Sequence, residues 1–422
     1  MCVSDDEHAV LHCGMSRVSR RVNGRLLSRF LLAALLAVPG TTTAQAPASA
    51  VATATDASTA AIEANFRALA AFGPRVTGSA ANEQARTFLE SQLRSLGYQT
   101  QRQAFAYPRF DDLGSDVKIG SETLRGTALR DSVGGTVTAP LVRIPGVGSQ
   151  GSYRGLTVAG KIAVVRQGSI PLLEKARVAR EAGAVGLIIV NTEDRDLRGT
   201  LGGVETLPVL TVRASLDTLL KPGLDATLNV RVRNGDVVGE NLIAFKGTTP
   251  PTVLIGAHLD SVKGAPGAND NLSGTLAVVE LARRVVNTPL SAQAYFVLFD
   301  GEEDGLLGSR DFVKTHAALL PGLKGMLNLD MVGVDAAPLR ATGHPALVAY
   351  ARPLPGVTAV EGSEGGSDHV PFEGAGVPTL SFHRGLDANY HQPGDTVLDP
   401  ALVREVTDIA QAVSEGLIRP AN

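Results

Sequence analysis

The sequence predicts an α/β protein: a mixed, mostly parallel central sheet flanked by helices and interrupted by a β-rich insertion. Three observations carry that expectation. From Glu240 onward, apolar runs of strand length (ENLIAF, TVLIGA, AYFVLF, MLNLD) alternate with helical stretches such as Leu272 to Val286, the pattern of parallel strands covered on both faces. From about Asp111 to Val237 the composition shifts to Gly, Val and Thr, with several short strand-like runs. Ahead of both, GSAANEQARTFLESQLRSLG reads as an amphipathic helix. Ser79 is placed to cap it, Ala85, Phe88, Leu89, Leu93 and Leu96 recur at helical spacing, and Gly97 ends it.

At the N-terminus, Arg17, Arg20, Arg21, Arg25 and Arg29 precede the apolar run Phe30 to Val38 and then TTTAQAPASA. This is the order of a secretory signal, with a cut after Ala46; Met15 is an alternative start. The apolar run is too short to span a bilayer, so no membrane span is expected after signal removal, and the protein is expected to be exported, periplasmic or extracellular. Cys2 and Cys13 both lie in the leader, so the mature chain enters an oxidising space without disulfides. An Ala/Ser/Thr-rich tether to about Ser58 leads to the helix, and a strand follows in YQTQRQAFAY.

At the centre of the insertion is a βαβ unit: strand Ile162 to Val165, helix Pro171 to Ala182 and strand Val185 to Val190, with a further strand at 207 to 212. It has no histidine, cysteine or Gly-rich phosphate loop, so it shows no chemistry of its own. The expected division is leader and signal 1–46, main domain 47–110 and 238–422, and insertion 111–237. A formal net charge of −3 without a basic patch argues against a nucleic-acid partner.

Chemistry concentrates where strands end, the place ligands gather in such sheets. TVLIGAHLDSV puts His258 and Asp260 just past a buried strand. An imidazole whose second nitrogen is fixed by a neighbouring carboxylate is a good metal ligand. GAPGANDNLSG carries Asp270 in the turn that opens the next helix, where an acid ordinarily serves as a cap. In YFVLFDGEEDGLLGS a strand runs into Asp300, Glu302, Glu303 and Asp304. Adjacent acids raise one another's pKa when buried, so a positive charge is expected nearby; the run reads either as a solvated face or as a site where one glutamate holds a metal and its neighbour acts as a base. Asp300 and Asp304 are expected to hold the turn or face solvent.

GMLNLDMVG sets Asp330 among apolar residues, which is costly unless it is paired or metal-bound. Late in the chain, GSDHVPF, SFHRG and ANYHQPGD supply His369, His383 and His391, among which residue chemistry alone does not choose. His316, in a helix before Pro321, and His344, in a Gly/Pro loop, read as structural. An oxygen-rich set with imidazoles and no thiols suits a catalytic zinc site. Five ligands exceed what one tetrahedral ion with an open position needs, so two ions sharing a carboxylate are expected.

Together, His258-Leu-Asp260, GANDNLSG, FDGEEDGLLGS, NLDMVG, SDHVPF and YHQPGDT resemble the secreted co-catalytic dizinc aminopeptidases, a family with glutamate carboxypeptidase and glutaminyl cyclase among its relatives. RVTGSAANEQARTFLESQL is similar to the family's opening, and the middle segment resembles a protease-associated (PA) domain inserted into a zinc-exopeptidase fold. The resemblance implies two Zn2+ ions bridged by Asp270. His258 and Asp330 would complete one ion's ligands, and Glu303 and His391 the other's. Glu302 would be the general base and Asp260 the partner of His258.

It further implies peptide substrates, with a hydroxide held between the ions attacking the scissile carbonyl and Glu302 shuttling the proton. Tyr390 and Arg384 are candidate oxyanion or carboxylate contacts. The expected activity is an aminopeptidase that removes N-terminal residues. A carboxypeptidase or dipeptidase, a glutaminyl cyclase and a non-catalytic PA-domain binding protein are the alternatives.

Overall fold

The computed structural model describes residues 48–197, 199–247 and 250–420; the leader, its signal and the expected cut lie outside them. The strands form two eight-stranded mixed sheets. The first runs, edge to edge, Gln99–Asp112, Val232–Phe245, Ala294–Phe299, Val253–His258, Gly325–Leu329, Thr379–His383, Arg340–Gly343 and Thr358–Glu361. Its central four strands are parallel. Val253, Ile255 and Ala257 face one apolar core with Leu89, Leu276 and Val406, whereas Leu254 faces the other with Phe299, Phe312 and Phe372. Successive side chains leave a strand on opposite faces, so a sheet covered on both sides demands the unbroken apolar runs seen in the sequence.

Register decides what meets at the strand ends. His258 pairs with Phe299, and Gly256 pairs with Asn328, a register that carried on two residues sets His258 level with Asp330. The second sheet is built around the parallel strands Ile162–Arg166, Gly186–Val190 and Val209–Val212. The two sheets are joined by a ribbon: Gln99–Asp112 pairs antiparallel with Val232–Phe245, from Gln99 opposite Phe245 to Asp112 opposite Val232.

Helix Ala80–Ser95 begins as the sequence predicts, with Ser79 accepting from the Asn82 amide at 3.2 Å, and Gly97 follows at φ +82. Two expectations change. The tether to about Ser58 is instead part of a helix, Ala48–Ala70; alanine is the strongest helix former, and Ile62 and Leu69 bury in the first core. Asp270 does not cap a helix. It lies in the turn Ala268–Ser273 at φ −110, ψ 89, its peptide bond to Asn271 is cis, and the helix proper is Gly274–Val285. A Cβ at Gly274 would come within 2.0 Å of the Leu329 carbonyl, so this glycine lets the helix start pack directly on the neighbouring strand.

Candidate metal centre

Three strand ends and two loops deliver the predicted residues to one place. Asp270 Oδ1 lies 3.3 Å from His258 Nε2, which is 3.4 Å from Asp330 Oδ1. Asp270 Oδ2 lies 3.2 Å from His391 Nε2, which is 3.0 Å from Glu303 Oε2. Each trio holds its donor atoms within 4.8 Å of one another, and Glu302 Oε2 stands 4.0 Å from His258 Nε2. Asp270 therefore presents one oxygen to each of two donor groups.

The backbone around these residues is held from several directions. Asp395 accepts the Asn269 and Asp270 amides at 2.7 and 3.1 Å. Asn271 donates to the Leu329 carbonyl at 3.0 Å and accepts from the Gly274 amide at 2.8 Å. Met331 and His391 both sit at positive φ, 51 and 57, uncommon for residues other than glycine.

Asp260 has wider contacts than the sequence suggests. Its Oδ1 is 3.6 Å from His258 Nδ1, and its own backbone carbonyl lies nearer, at 3.2 Å. Its two carboxylate oxygens accept the amides of Glu302 and Glu303, each at 3.2 Å. Asp300, fully buried, holds the start of the same turn: it accepts from Thr77, Asn82, Arg86 and the Gly301 amide.

Burial pushes Glu302 up to about 10, opposed by His258 and reinforced by Asp330, Asp368 and Asp260. Burial likewise takes Glu303 to about 7 against the hydrogen bond from His391. Burial also acts to raise Asp270, but the His258 and His391 imidazoles outweigh it and hold the carboxyl well below its ordinary value. Bonds to Asp270 and Glu303 raise His391 to about 10. Several buried atoms here have no hydrogen-bond partner: Glu303 Oε1, Asp330 Oδ1 and both ring nitrogens of His369.

Buried carboxylate oxygens without donors are costly, and a cation between them removes that cost. The donor set fits a metal ion. A permanent positive charge is also present: Arg75, fully buried, donates to the carbonyls of Leu259, Pro266 and Gly267 at 2.9, 2.5 and 2.8 Å. The charges of Asp260, Asp395, Asp270 and Glu303 all act on it, although burial prevails and lowers it to about 10.

His369, His383 and Tyr390 line the cavity of about 330 Å³ that also borders His258, Glu302 and His391. Tyr390 stacks on His391 at 3.8 Å between ring centroids. Arg384 is a correction: it is buried away from the cavity, ion-paired with Glu405 at 2.7 Å and Asp335 at 3.6 Å. His344 caps the helix Pro345–Ala351, and His316 ends the helix Leu307–Thr315 against Phe312, so both are structural. Arg75, Thr77 and Asp395 were not singled out by sequence reasoning. Arg75 and Thr77 open RVTGSAANEQ and Asp395 lies in YHQPGDT, but Arg75 and Asp395 pair with backbone and Thr77 with the Asp300 carboxylate, contacts that leave no periodic or ligand-type signal.

Comparison with known proteins is consistent with this geometry. Residues 241–414 match the model of peptidase family M28, and residues 137–216 match the PA domain. The probable lipoprotein aminopeptidase LpqL of Mycobacterium tuberculosis is 31% identical over 383 residues, covering 77% of this chain and 76% of that protein. Among solved structures, the aminopeptidase from Aneurinibacillus sp. strain AM-1 is 31% identical with a TM-score of 0.63, over 86% of this chain and 95% of that one. BSAP, a zinc aminopeptidase from Bacillus subtilis, is 27% identical with a TM-score of 0.66, over 87% of this chain and 95% of that one. The chain belongs to peptidase family M28 and is a metallo-exopeptidase carrying a PA domain.

Proposed function

We propose that this chain is an exported zinc aminopeptidase that removes N-terminal residues from peptides, with residues 111–237 as the PA insertion. The observation that carries the reading is the way Asp270 divides its two oxygens, one toward His258 and Asp330 and the other toward Glu303 and His391. That division suits two zinc ions sharing one carboxylate. When bound, the ions supply a polarised scissile carbonyl and a water that ionises near neutral pH.

The chain's own residues do the rest. Glu302 lies outside both trios that share Asp270, although with His258 and Glu303 it forms a third group with donor atoms within 4.8 Å, and its Oε2 is 4.0 Å from His258 Nε2. From there it takes a proton from the attacking water and passes it to the leaving amine, a role worth roughly 10²–10⁴ in rate. Asp260 holds the amides on which Glu302 and Glu303 hang, so the ligand and the base keep their separation.

The test is zinc content and hydrolysis of aminoacyl anilides by the mature protein beside Glu302→Gln. About two zinc ions per chain are expected in both, with turnover lost only in the variant. Wild-type turnover in Glu302→Gln removes the base assignment. A single zinc with cyclisation of N-terminal Gln and no hydrolysis overturns the aminopeptidase reading.

A further inference from the structure

The turn that carries Glu302 and Glu303 is gripped from outside by the ribbon that joins the two sheets. Asp304 Oδ2 accepts the Tyr107 hydroxyl and, at 3.2 Å, Arg109 Nη1. The same Nη1 donates to the Thr77 carbonyl at 2.8 Å. The Thr77 hydroxyl donates to Asp300 Oδ1 at 2.9 Å and lies 3.3 Å from Asp260 Oδ2, the carboxylate that holds the Glu302 and Glu303 amides. One guanidinium nitrogen thus ties together the two supports of the turn.

The guanidinium is itself fixed. Arg109 is only 10% exposed, and its Nε lies 3.1 Å from Asp111 Oδ1. Phe105, Tyr107 and Arg109 alternate along one strand and so share a face. The Phe105 ring stacks on Tyr107 at 6.0 Å and lies against Gly301, where an added Cβ would stand 3.3 Å from it. Gly301 and Gly305, at φ 69 and 112, flank the acids in a backbone conformation that favours glycine.

We propose that Arg109, with Tyr107 and Asp304, is a positioning clamp that keeps Glu302 in register for proton transfer. This rests on Glu302 being the base. The clamp acts through the backbone of residues 301–304 and touches neither substrate nor the proposed ligands. Because the same strand continues toward the second sheet, the insertion is anchored to the residue that moves the proton.

The test uses the full zinc-loaded chain, measuring kcat, KM, zinc content and melting temperature for Arg109→Ala, Arg109→Lys, Asp304→Ala, Tyr107→Phe and the Arg109→Ala/Asp304→Ala double variant. Displacing a catalytic group by about 1 Å costs up to about 100-fold, so Arg109→Ala and Asp304→Ala should each lower kcat about 10–100-fold with KM and zinc nearly unchanged. The double variant should be no slower than the slower single, and Arg109→Lys should recover most of the rate. Tyr107→Phe should lose about threefold, the value of one hydrogen bond.

Wild-type kcat in folded, zinc-loaded Arg109→Ala overturns the clamp. So do single losses that multiply in the double variant, or losses that track zinc content or the folded fraction. If Arg109→Ala does not fold, wild-type kcat in Tyr107→Phe overturns the clamp in its place. An active Glu302→Gln defeats the base assignment. An inactive one beside an unaffected Arg109→Ala defeats the clamp alone.

Discussion

Val253–His258 in the first sheet and Gly186–Val190 in the second are both parallel strands buried along their whole length, yet they run out into different surroundings. Past His258 come Asp260, Arg75's three carbonyl acceptors and the Asp270 turn. Past Val190 comes Asn191, whose side-chain amide donates to the Arg195 carbonyl at 2.8 Å. Among the described residues, the buried carboxylate and imidazole atoms without partners belong to Glu303, Asp330, Asp368, His369 and His316, all on the first sheet's side. The second sheet's region contributes only Ser132, Arg143 and Tyr153. Burial pattern sets the layers in both regions. Buried carboxylates and imidazoles without hydrogen-bond partners, costly unless a cation or a proton compensates them, set the first region apart from the second.

The largest expected contrast comes from removing metal. Chelation should abolish hydrolysis and zinc should restore it. Loss of a ligand held at a hundredfold excess over its Kd costs about 2.7 kcal/mol of stability. By hydrogen exchange that loss should appear in Val253–His258 and leave Gly186–Val190 protected; equal loss in both would erase the distinction between the sheets.

Arg75→Met should be next. It strands the Leu259, Pro266 and Gly267 carbonyls and removes the built-in counter-charge, at a cost of about 3–5 kcal/mol by urea unfolding. A loss below about 1 kcal/mol, no more than an ordinary hydrogen bond, would mean that the acids need the metal alone.

The smallest effect belongs to the second sheet. Lys175, fully buried, donates to the Val147 and Arg166 carbonyls. Lys175→Met should cost about 1–3 kcal/mol and leave kcat untouched. A fall in kcat would show that packing in the insertion reaches the site.

The grouping of His258, Asp270, Glu302, Glu303, Asp330 and His391 was legible because each ends an apolar run or sits in a short, chemically distinctive motif. Helix Ala80–Ser95 was legible for a related reason, since its cap, its periodicity and its glycine stop are all local. The helix Ala48–Ala70 was not, because its Ala/Ser/Thr composition suits a tether as well as a helix until Ile62 and Leu69 find a core. Arg384 was misread because a late arginine beside a histidine motif looks like a site residue, and only the position of Glu405 shows where its charge is spent.

The sequence by itself determined the alternation of buried strands and helices, the acids and imidazoles placed where strands stop, and the family these residues point to. These are properties of neighbours along the chain. Tertiary structure alone decided that Asp260 holds the Glu302 and Glu303 amides and that Arg75 and Arg109 stand behind the acids. Arg75 meets Leu259 across 184 positions, and Arg109 meets Asp304 across 195. Contacts of that span are set by strand register and sheet order, which no local pattern encodes.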